Sequence, residues 1–476
     1  VDETPFRRRG NGVMAAATLS ACLVCILILQ QGRGIWLDEA TSFWFTRHDI
    51  GLGEIIRERW IADVHPPLFS AYAWVLEPLL GGSVRSMRLV NLGGLLLAAL
   101  TGVQAWRRGI DRDFLALFAV MVAGSPFFIL YAAEFRSYFL QLLFGACLII
   151  QLRMLHAGRA SWPMLALTGL LLVNLHYMGS LIGLTLIGAE AIYLAFSGRR
   201  RAATGSISIL LLALLPLAGA LGAMLSVISP VAVNDISALR GLVAIGAVLG
   251  SATVPYVAAL ALLPRATPPR GEDHSFMLVM GGSLAAIAAS YALLNLATHN
   301  LLSRHMIAAA PIGAAIVALL LKAHAKDNRI GFGLICANAL LLAGAATTYG
   351  LTHQRWETNL ARIESARATC PQGRLYALNP LSLLAPGDKL HSVPAIDEFF
   401  GLTYRLIVPD VELLPQGHAI TSPGPCPALL WVEHHYARPD ASDMELARIP
   451  GFAGPIRIRR LQRGDARALL AVYPGR

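Results

Sequence analysis

The strongest constraint on this chain is a succession of apolar runs, each near the ~20 residues that a helix needs to cross the hydrocarbon core of a bilayer. Such runs occupy 13–30, 89–106, 114–131, 138–155, 162–178, 180–196, 206–228, 241–263, 276–297, 306–321 and 330–349. Backbone amides and carbonyls find no partner in lipid, so these runs close their own hydrogen bonds as α-helices. The sequence therefore predicts a polytopic α-helical membrane protein with about eleven spans. Composition agrees: 55% of the 476 residues are hydrophobic and 14% charged, against ~25% charged in soluble domains. A water-soluble globule and a disordered chain are excluded. So is a secreted disulfide scaffold, because only six cysteines serve the whole chain. The first run follows Arg7, Arg8 and Arg9 and lacks a small-x-small cleavage pattern, so it is expected to be a retained span.

Charge placement gives the orientation. With the N-terminus inside, the cytoplasmic connections hold Arg107, Arg108 and Arg112, then Arg153 and Arg159, then Arg199, Arg200 and Arg201, then Arg265 and Arg270, then Lys322, Lys326 and Arg329. That distribution obeys the positive-inside rule. Residues 66–80 are apolar, but they open on Pro66 and Pro67 and carry Glu77 and Pro78. Counting them as a span would invert every later connection, so they are expected at the membrane surface or dipping into it. The net charge of +10 thus reports orientation. Basic residues spread over several loops form no nucleic-acid-binding face, and no nucleic-acid partner is expected.

Two domains are predicted: a membrane domain over 1–350, with a first outer loop at 31–65, and a soluble extracytoplasmic α/β domain over 351–476. Short apolar runs at 375–378, 429–432, 456–458 and 469–472, set between Pro/Gly-rich stretches, read as strands. Cys22, Cys25, Cys147 and Cys336 fall in spans and read as packing residues. Cys370 and Cys426 fall in the outer domain, where an oxidising compartment allows a disulfide without requiring one.

Polar residues gather on the outer face. The first outer loop carries Trp36-Leu37-Asp38-Glu39, then an amphipathic stretch at 50–60 that reads as an interfacial helix, then Asp63-Val64-His65-Pro66-Pro67. Later outer loops carry Tyr131, Glu134, Arg136 and Tyr138; His176 and Tyr177; Asn234 and Asp235; and His299, Asn300, Arg304 and His305. Each has a plain alternative. The tyrosines and Trp36 suit an aromatic belt, Asp38 and Glu39 suit a solvated loop, and Glu134 with Arg136 suits a surface ion pair. Glu190 inside a span is costly in lipid, so it either pairs or faces a cavity. The coincidence of so many polar groups on one face favours a site.

Four segments carry a resemblance: Trp36-Leu37-Asp38-Glu39-Ala40, His65-Pro66-Pro67-Leu68, the run from Ser125 through Tyr131, Glu134 and Arg136 to Tyr138, and Leu175-His176-Tyr177-Met178-Gly179. In order and spacing the chain resembles the GT-C glycosyltransferases over roughly residues 10–350. The nearest branch is the bacterial one similar to protein mannosyltransferases, aminoarabinose transferases and rhizobial galacturonosyltransferases. Ser303-Arg304-His305 is more weakly similar to a later Arg-containing segment. The resemblance implies a multi-span fold, an active site at the outer membrane face and a polyprenyl-phosphate-sugar donor. It also implies an acidic base in the first outer loop, here Asp38 with Glu39 beside it. Aminoarabinose transferases carry acidic and lysine residues before their Pro-Pro. Here Asp63, Val64 and His65 occupy that stretch, so no lysine or metal role carries over.

The residues support that chemistry directly. A carboxylate accepting the proton of an acceptor hydroxyl supplies general-base catalysis, typically ~10²–10⁴-fold; Asp38 and Glu39 are the candidates. The leaving phosphate gains negative charge and needs fixed cations, for which Arg136 and Arg304, assisted by His65, are suited. Glu134, Tyr131, Tyr138, His176 and Tyr177 are candidate substrate-binding residues. A single displacement with one base predicts inversion at the anomeric carbon. No cofactor is required and no metal ligand set is evident, although the paired carboxylates suit Mg²⁺ or Mn²⁺. Expected partners are the polyprenyl-linked sugar, membrane lipids and an envelope acceptor that is lipid, glycan or protein. The alternatives are a lipid-linked substrate transporter or flippase, and a lipid-linked glycan ligase or polymerase. A transporter usually places ionisable groups at mid-membrane within repeated halves, and no repeat is visible here.

Overall fold

The computed structural model describes residues 5–61, 63, 65–227, 243, 246–248, 250–251, 253–257, 269–298, 302–325, 329–352, 359–378, 396–414, 425–433, 457–460 and 468–473. Val64, Asn234, Asp235, Arg265, His299, Asn300, Lys326 and most of the run at 241–263 lie outside these residues. The chain divides into two compact units, Val1–Gln31 with Phe45–Thr348, and Gly32–Trp44 with Tyr349–Arg476. Residues 32–44, part of the expected first outer loop, fall in the second unit.

The first unit is helical. Its elements are α1 (Pro5–Gly32), α3 (Leu52–Ile55), α4 (Leu68–Leu80), α5 (Val84–Met87), α6 (Asn91–Arg107), α7 (Arg112–Ala123), α8 (Pro126–Ala132), α9 (Ser137–His156), α10 (Trp162–Leu175), α11 (Tyr177–Phe196) and α12 (Arg200–Val227), followed by α13 (Glu272–Thr298), α14 (Ala310–Ala325) and α15 (Arg329–Thr352). The helix α2 (Leu37–Trp44) belongs to the second unit. Among the described residues, eight helices are long and apolar enough to span a membrane. The pair α7 and α8, bent by 62° at Gly124 and Ser125, makes a ninth if it is one broken span. The run expected at 162–178 is instead the fourteen-residue α10, short of the ~17 residues that span a bilayer. Helix α4 has thirteen residues and is also too short.

Helix α9 is the post around which this unit is built. All of its residues are buried, enclosed by α6, α10, α11, α14 and a 3₁₀ turn at Ser303–Ala309. A helix whose apolar residues are spread over every side belongs in such an interior. Gly145 makes the packing possible: a Cβ there would lie 2.9 Å from the Ala308 carbonyl oxygen, so only glycine lets the 3₁₀ turn lie against α9.

Near the far end of the post, His156 Nδ1 donates to Glu190 at 3.0 Å, and His156 Nε2 lies 2.8 Å from Ser275 Oγ. Glu190 is therefore paired. Beside it, Arg153 donates to Asp273 at 2.7 Å and Lys322 also contacts Asp273. These bonds tie α9, α11, α13 and α14 together.

The expected interfacial helix at 50–60 forms as α3 followed by a π-helical turn at Ile56–Trp60. Its charges do not all face outward. Arg59 is buried and donates two hydrogen bonds to Asp49, at 2.8 and 3.1 Å, because a bidentate partner offsets its desolvation. Burial raises the Asp49 pKa, but the Arg59 hydrogen bonds and charge outweigh it, and the carboxyl titrates below its ordinary value.

The second unit holds a mixed five-stranded sheet in the order β2-β1-β3-β5-β4. Its strands are β1 (Leu375–Leu378), β2 (Glu412–Leu414), β3 (Ala428–Glu433), β4 (Arg457–Arg460) and β5 (Ala468–Tyr473). Strand β1 pairs in parallel with β2 and β3; β5 pairs antiparallel with β3 and β4. Two helices accompany the sheet, α16 (Leu360–Arg367) and α17 (Ile396–Arg405). The three-residue edge strand β2 was not foreseen, because three residues carry no period. Cys370 and Cys426 form a disulfide.

Candidate active site

The N-terminal end of α9 is where the first unit collects its polar side chains. Arg136, in extended conformation, is the N-cap, and Tyr138 is the second residue of the helix. The turn before them is held from below by two buried amides. Gln30 Nε2 donates to the Ala132 carbonyl at 3.0 Å; Asn91 Nδ2 donates to the carbonyls of Ala132 and Glu134 at 3.1 and 2.9 Å. Glu134 is buried in that turn. Neither Gln30 nor Asn91 was singled out from sequence. The only signal was an amide at the end of one apolar run and the start of another.

His176 enters from the break between α10 and α11. It ends one helix and caps the next, its Nδ1 accepting the Met178 backbone N–H at 3.1 Å. Gly179 permits this tight connection, since a Cβ there would meet the Leu172 carbonyl oxygen at 2.6 Å. The turn before the 3₁₀ segment brings the third group. Tyr291 Oη donates to the Leu302 carbonyl at 3.0 Å, and His305 Nδ1 accepts the Leu302 N–H at 3.1 Å. His65 arrives from the first outer loop with its Nδ1 donating to Asp63 at 3.0 Å.

These groups converge. The His176 ring lies 4.8 Å from His65, 5.5 Å from His305 and 5.8 Å from Tyr138. Tyr138 lies 5.3 Å from Tyr131. The guanidinium carbons of Arg136 and Arg304 lie 5.5 and 5.7 Å from the Tyr138 ring centre, inside cation–π range. One phenol thus carries two cations. Of the residues picked from sequence, His65, Arg136, Tyr131, Tyr138, His176 and Arg304 come together here. His305 joins them, although sequence marked it only through a weak motif. Tyr177, next in the chain, packs against Val173, Ala213 and Leu217.

Protonation follows from geometry. Because Nδ1 of His176 accepts a backbone N–H, its neutral ring carries the proton on Nε2. That nitrogen is buried and has no hydrogen-bond partner among the described residues. Burial pushes the His176 pKa well below 6.5, and the charges of His65, His305, Arg136 and Arg304 push it further. The ring is therefore a neutral donor at neutral pH, aimed into a strongly positive site. The arrangement suits an anion with several acceptor oxygens, such as a phosphate. Among the described residues, no three His, Cys, Asp or Glu side chains converge as a metal-ligand set.

Asp38 and Glu39 lie in the second unit, in the first turn of α2, where the helix N-terminus favours negative charge. Both carboxylates are buried, Glu39 fully and Asp38 to 8% exposure.

No protein-family profile matches the chain, and no curated protein sequence matches it. Solved structures do. ArnT from Cupriavidus metallidurans in the apo state is 15% identical, with a TM-score of 0.58 over 96% of this chain and 97% of that one. The same protein bound to undecaprenyl phosphate is 13% identical, with a TM-score of 0.56 over the same shares. At such identity the likeness is one of fold: the chain has the ArnT-like multi-helix membrane fold, with a small C-terminal sheet.

Proposed function

We propose that this protein is a glycosyltransferase that moves a single sugar from a polyprenyl phosphate to an envelope acceptor, at the outer face of the cytoplasmic membrane. The observation that carries the reading is the cluster at the head of α9: two arginines on one tyrosine, beside a buried histidine N–H with no partner among the described residues. A phosphodiester leaving group needs such donors as its charge grows. Support comes from a shared fold with ArnT, one of whose structures holds undecaprenyl phosphate.

In this mechanism Arg136, Arg304 and His65 bind the donor phosphate, and Tyr131, Tyr138, Glu134 and His176 line the sugar–phosphate junction. Asp38 takes the acceptor proton as the new glycosidic bond forms and the phosphate leaves, inverting the anomeric carbon. Glu39 supports it. The polyprenyl tail lies against the apolar helices, and the transfer requires no cofactor, with the paired carboxylates still suited to Mg²⁺ or Mn²⁺. The Cys370–Cys426 disulfide suits an oxidising compartment and supports an outer location for the soluble domain.

The test is mass spectrometry of lipid copurifying with the protein, followed by turnover of the identified polyprenyl-phosphate sugar. Asp38→Asn should bind that lipid without turning it over. Copurification of no polyprenyl lipid, or full turnover by the Asp38→Asn variant, would reject the assignment.

A further inference from the structure

The second unit joins two pieces of chain that are far apart in sequence, Gly32–Trp44 and Tyr349–Arg476. The first piece is little more than α2. An eight-residue helix is too short to hold itself together in water, so packing must fix it. Its apolar side, Ala40, Phe43 and Trp44, is buried. Helix α17 covers it, with the Trp44 and Phe399 rings 5.8 Å apart and inclined by 50°.

Behind that contact the packing is continuous with the sheet. Phe399 lies 5.0 Å from Phe400. One turn on, Thr403 Oγ1 donates to the Phe399 carbonyl at 2.8 Å. Tyr404 then meets Trp431 of β3 edge-on at 4.9 Å, and both are fully buried. An aromatic path thus runs from the sheet through α17 to α2. Trp44 is the last residue of α2, and Asp38 and Glu39 occupy the first turn. The helix is ~12 Å long, so its orientation, fixed at Trp44, sets where the carboxylates point.

We infer that the C-terminal domain is the positioning element for the Asp38–Glu39 helix, with Phe399 as the positioning residue. The inference rests on the proposed glycosyl transfer, in which Asp38 is the base. A small misplacement of a reacting group, of order 1 Å, can cost ~10²-fold in rate. Phe399 touches no substrate in this reading, so its loss should change kcat and leave donor binding alone.

The experiment compares full-length wild type with Phe399→Ala and Phe399→Leu. For Phe399→Ala, kcat with the polyprenyl-phosphate sugar should fall at least ~10-fold while KM for that donor stays within about twofold. Phe399→Leu, which refills most of the contact, should recover most of the rate. In parallel, hydrogen exchange should show the α2 amides losing protection in Phe399→Ala while those of α9 keep theirs. Unchanged α2 protection would overturn the packing claim. Lost protection with unchanged kcat would overturn the catalytic claim. A wild-type protein inactive on every polyprenyl-phosphate sugar would remove the transferase reading and the catalytic claim with it, while exchange still decides whether α17 holds α2.

Discussion

His176 performs two tasks with its two ring nitrogens, and substitutions separate them. Nδ1 caps α11 through the Met178 N–H, and Nε2 presents a donor to the site. Asparagine is among the best N-cap residues, but its amide is too short to reach the Nε2 position. His176→Asn should therefore keep the cap and lose the donor. Glutamine is a weaker cap but carries its amide N–H to about the place of Nε2. A hydrogen bond to a charged group contributes ~1.5–3 kcal/mol, so His176→Asn should lose ~10- to 150-fold in kcat/KM with little change in melting temperature. His176→Gln should lose up to ~1 kcal/mol of stability and keep more of the activity.

The pH dependence adds a second reading. Burial and the surrounding cations depress the folded pKa of His176, so above about 6.5 both folded and unfolded states hold it neutral and it adds no slope. As pH falls below that value the unfolded chain takes up a proton that the folded one refuses, so stability declines toward the depressed pKa. Steady-state turnover of the polyprenyl-phosphate sugar from pH 5 to 9 should show no limb near 6.5 assigned to this ring. A limb there that disappears in His176→Asn would refute the neutral-donor argument, as would equal kcat/KM in wild type, Asn and Gln proteins.

Other outcomes follow from the same structure. Glu190→Ala leaves the buried His156 N–H without its acceptor and should lower stability in detergent by ~1–3 kcal/mol. Glu190→Gln, which keeps an acceptor oxygen, should recover most of it, and equal melting of all three proteins would contradict the pairing. Cys370→Ser should cost the soluble domain ~2–4 kcal/mol, seen as easier proteolysis of 351–476, and reductant should reproduce the effect in wild type only. Transfer should survive exhaustive chelation; activity lost to chelator and restored by Mg²⁺ or Mn²⁺ would require a metal at the carboxylates.

The membrane architecture was largely legible because lipid allows one pattern, and long apolar runs announce it. What the pattern blurs is where a run breaks. The sequence is apolar on both sides of 178–180, yet the break falls at His176, because a side-chain cap on Met178 decides it and hydropathy cannot register a cap. The polar cluster was legible in kind: Arg136, Tyr138, His176 and Arg304 all stood out as polar residues at one face. Its supports were not. Gln30, Asn91 and Tyr291 act through single hydrogen bonds to distant carbonyls, and such bonds leave no period. The amphipathic pattern at 50–60 does not mark Arg59 as buried; its bidentate bond to Asp49 explains that burial. The partnership of α2 with α17 joins residues 44 and 399 through two rings, and nothing local in either segment encodes the other.

The enclosed central helix also bears on how the protein is made. Helix α9 contains Gln141, Gln151, Arg153 and His156, groups that a lone helix in lipid would have to expose or drag toward the interface. Gln151 donates to Gln104, made earlier, but the partners of the two charged groups are synthesised later: Glu190 lies 34 residues after His156, and Asp273 lies 120 after Arg153. During biosynthesis α9 therefore waits, half-satisfied, while most of the remaining membrane part is translated. Its polar groups act as a checkpoint on assembly, which closes only when α13 docks and supplies the last acceptors.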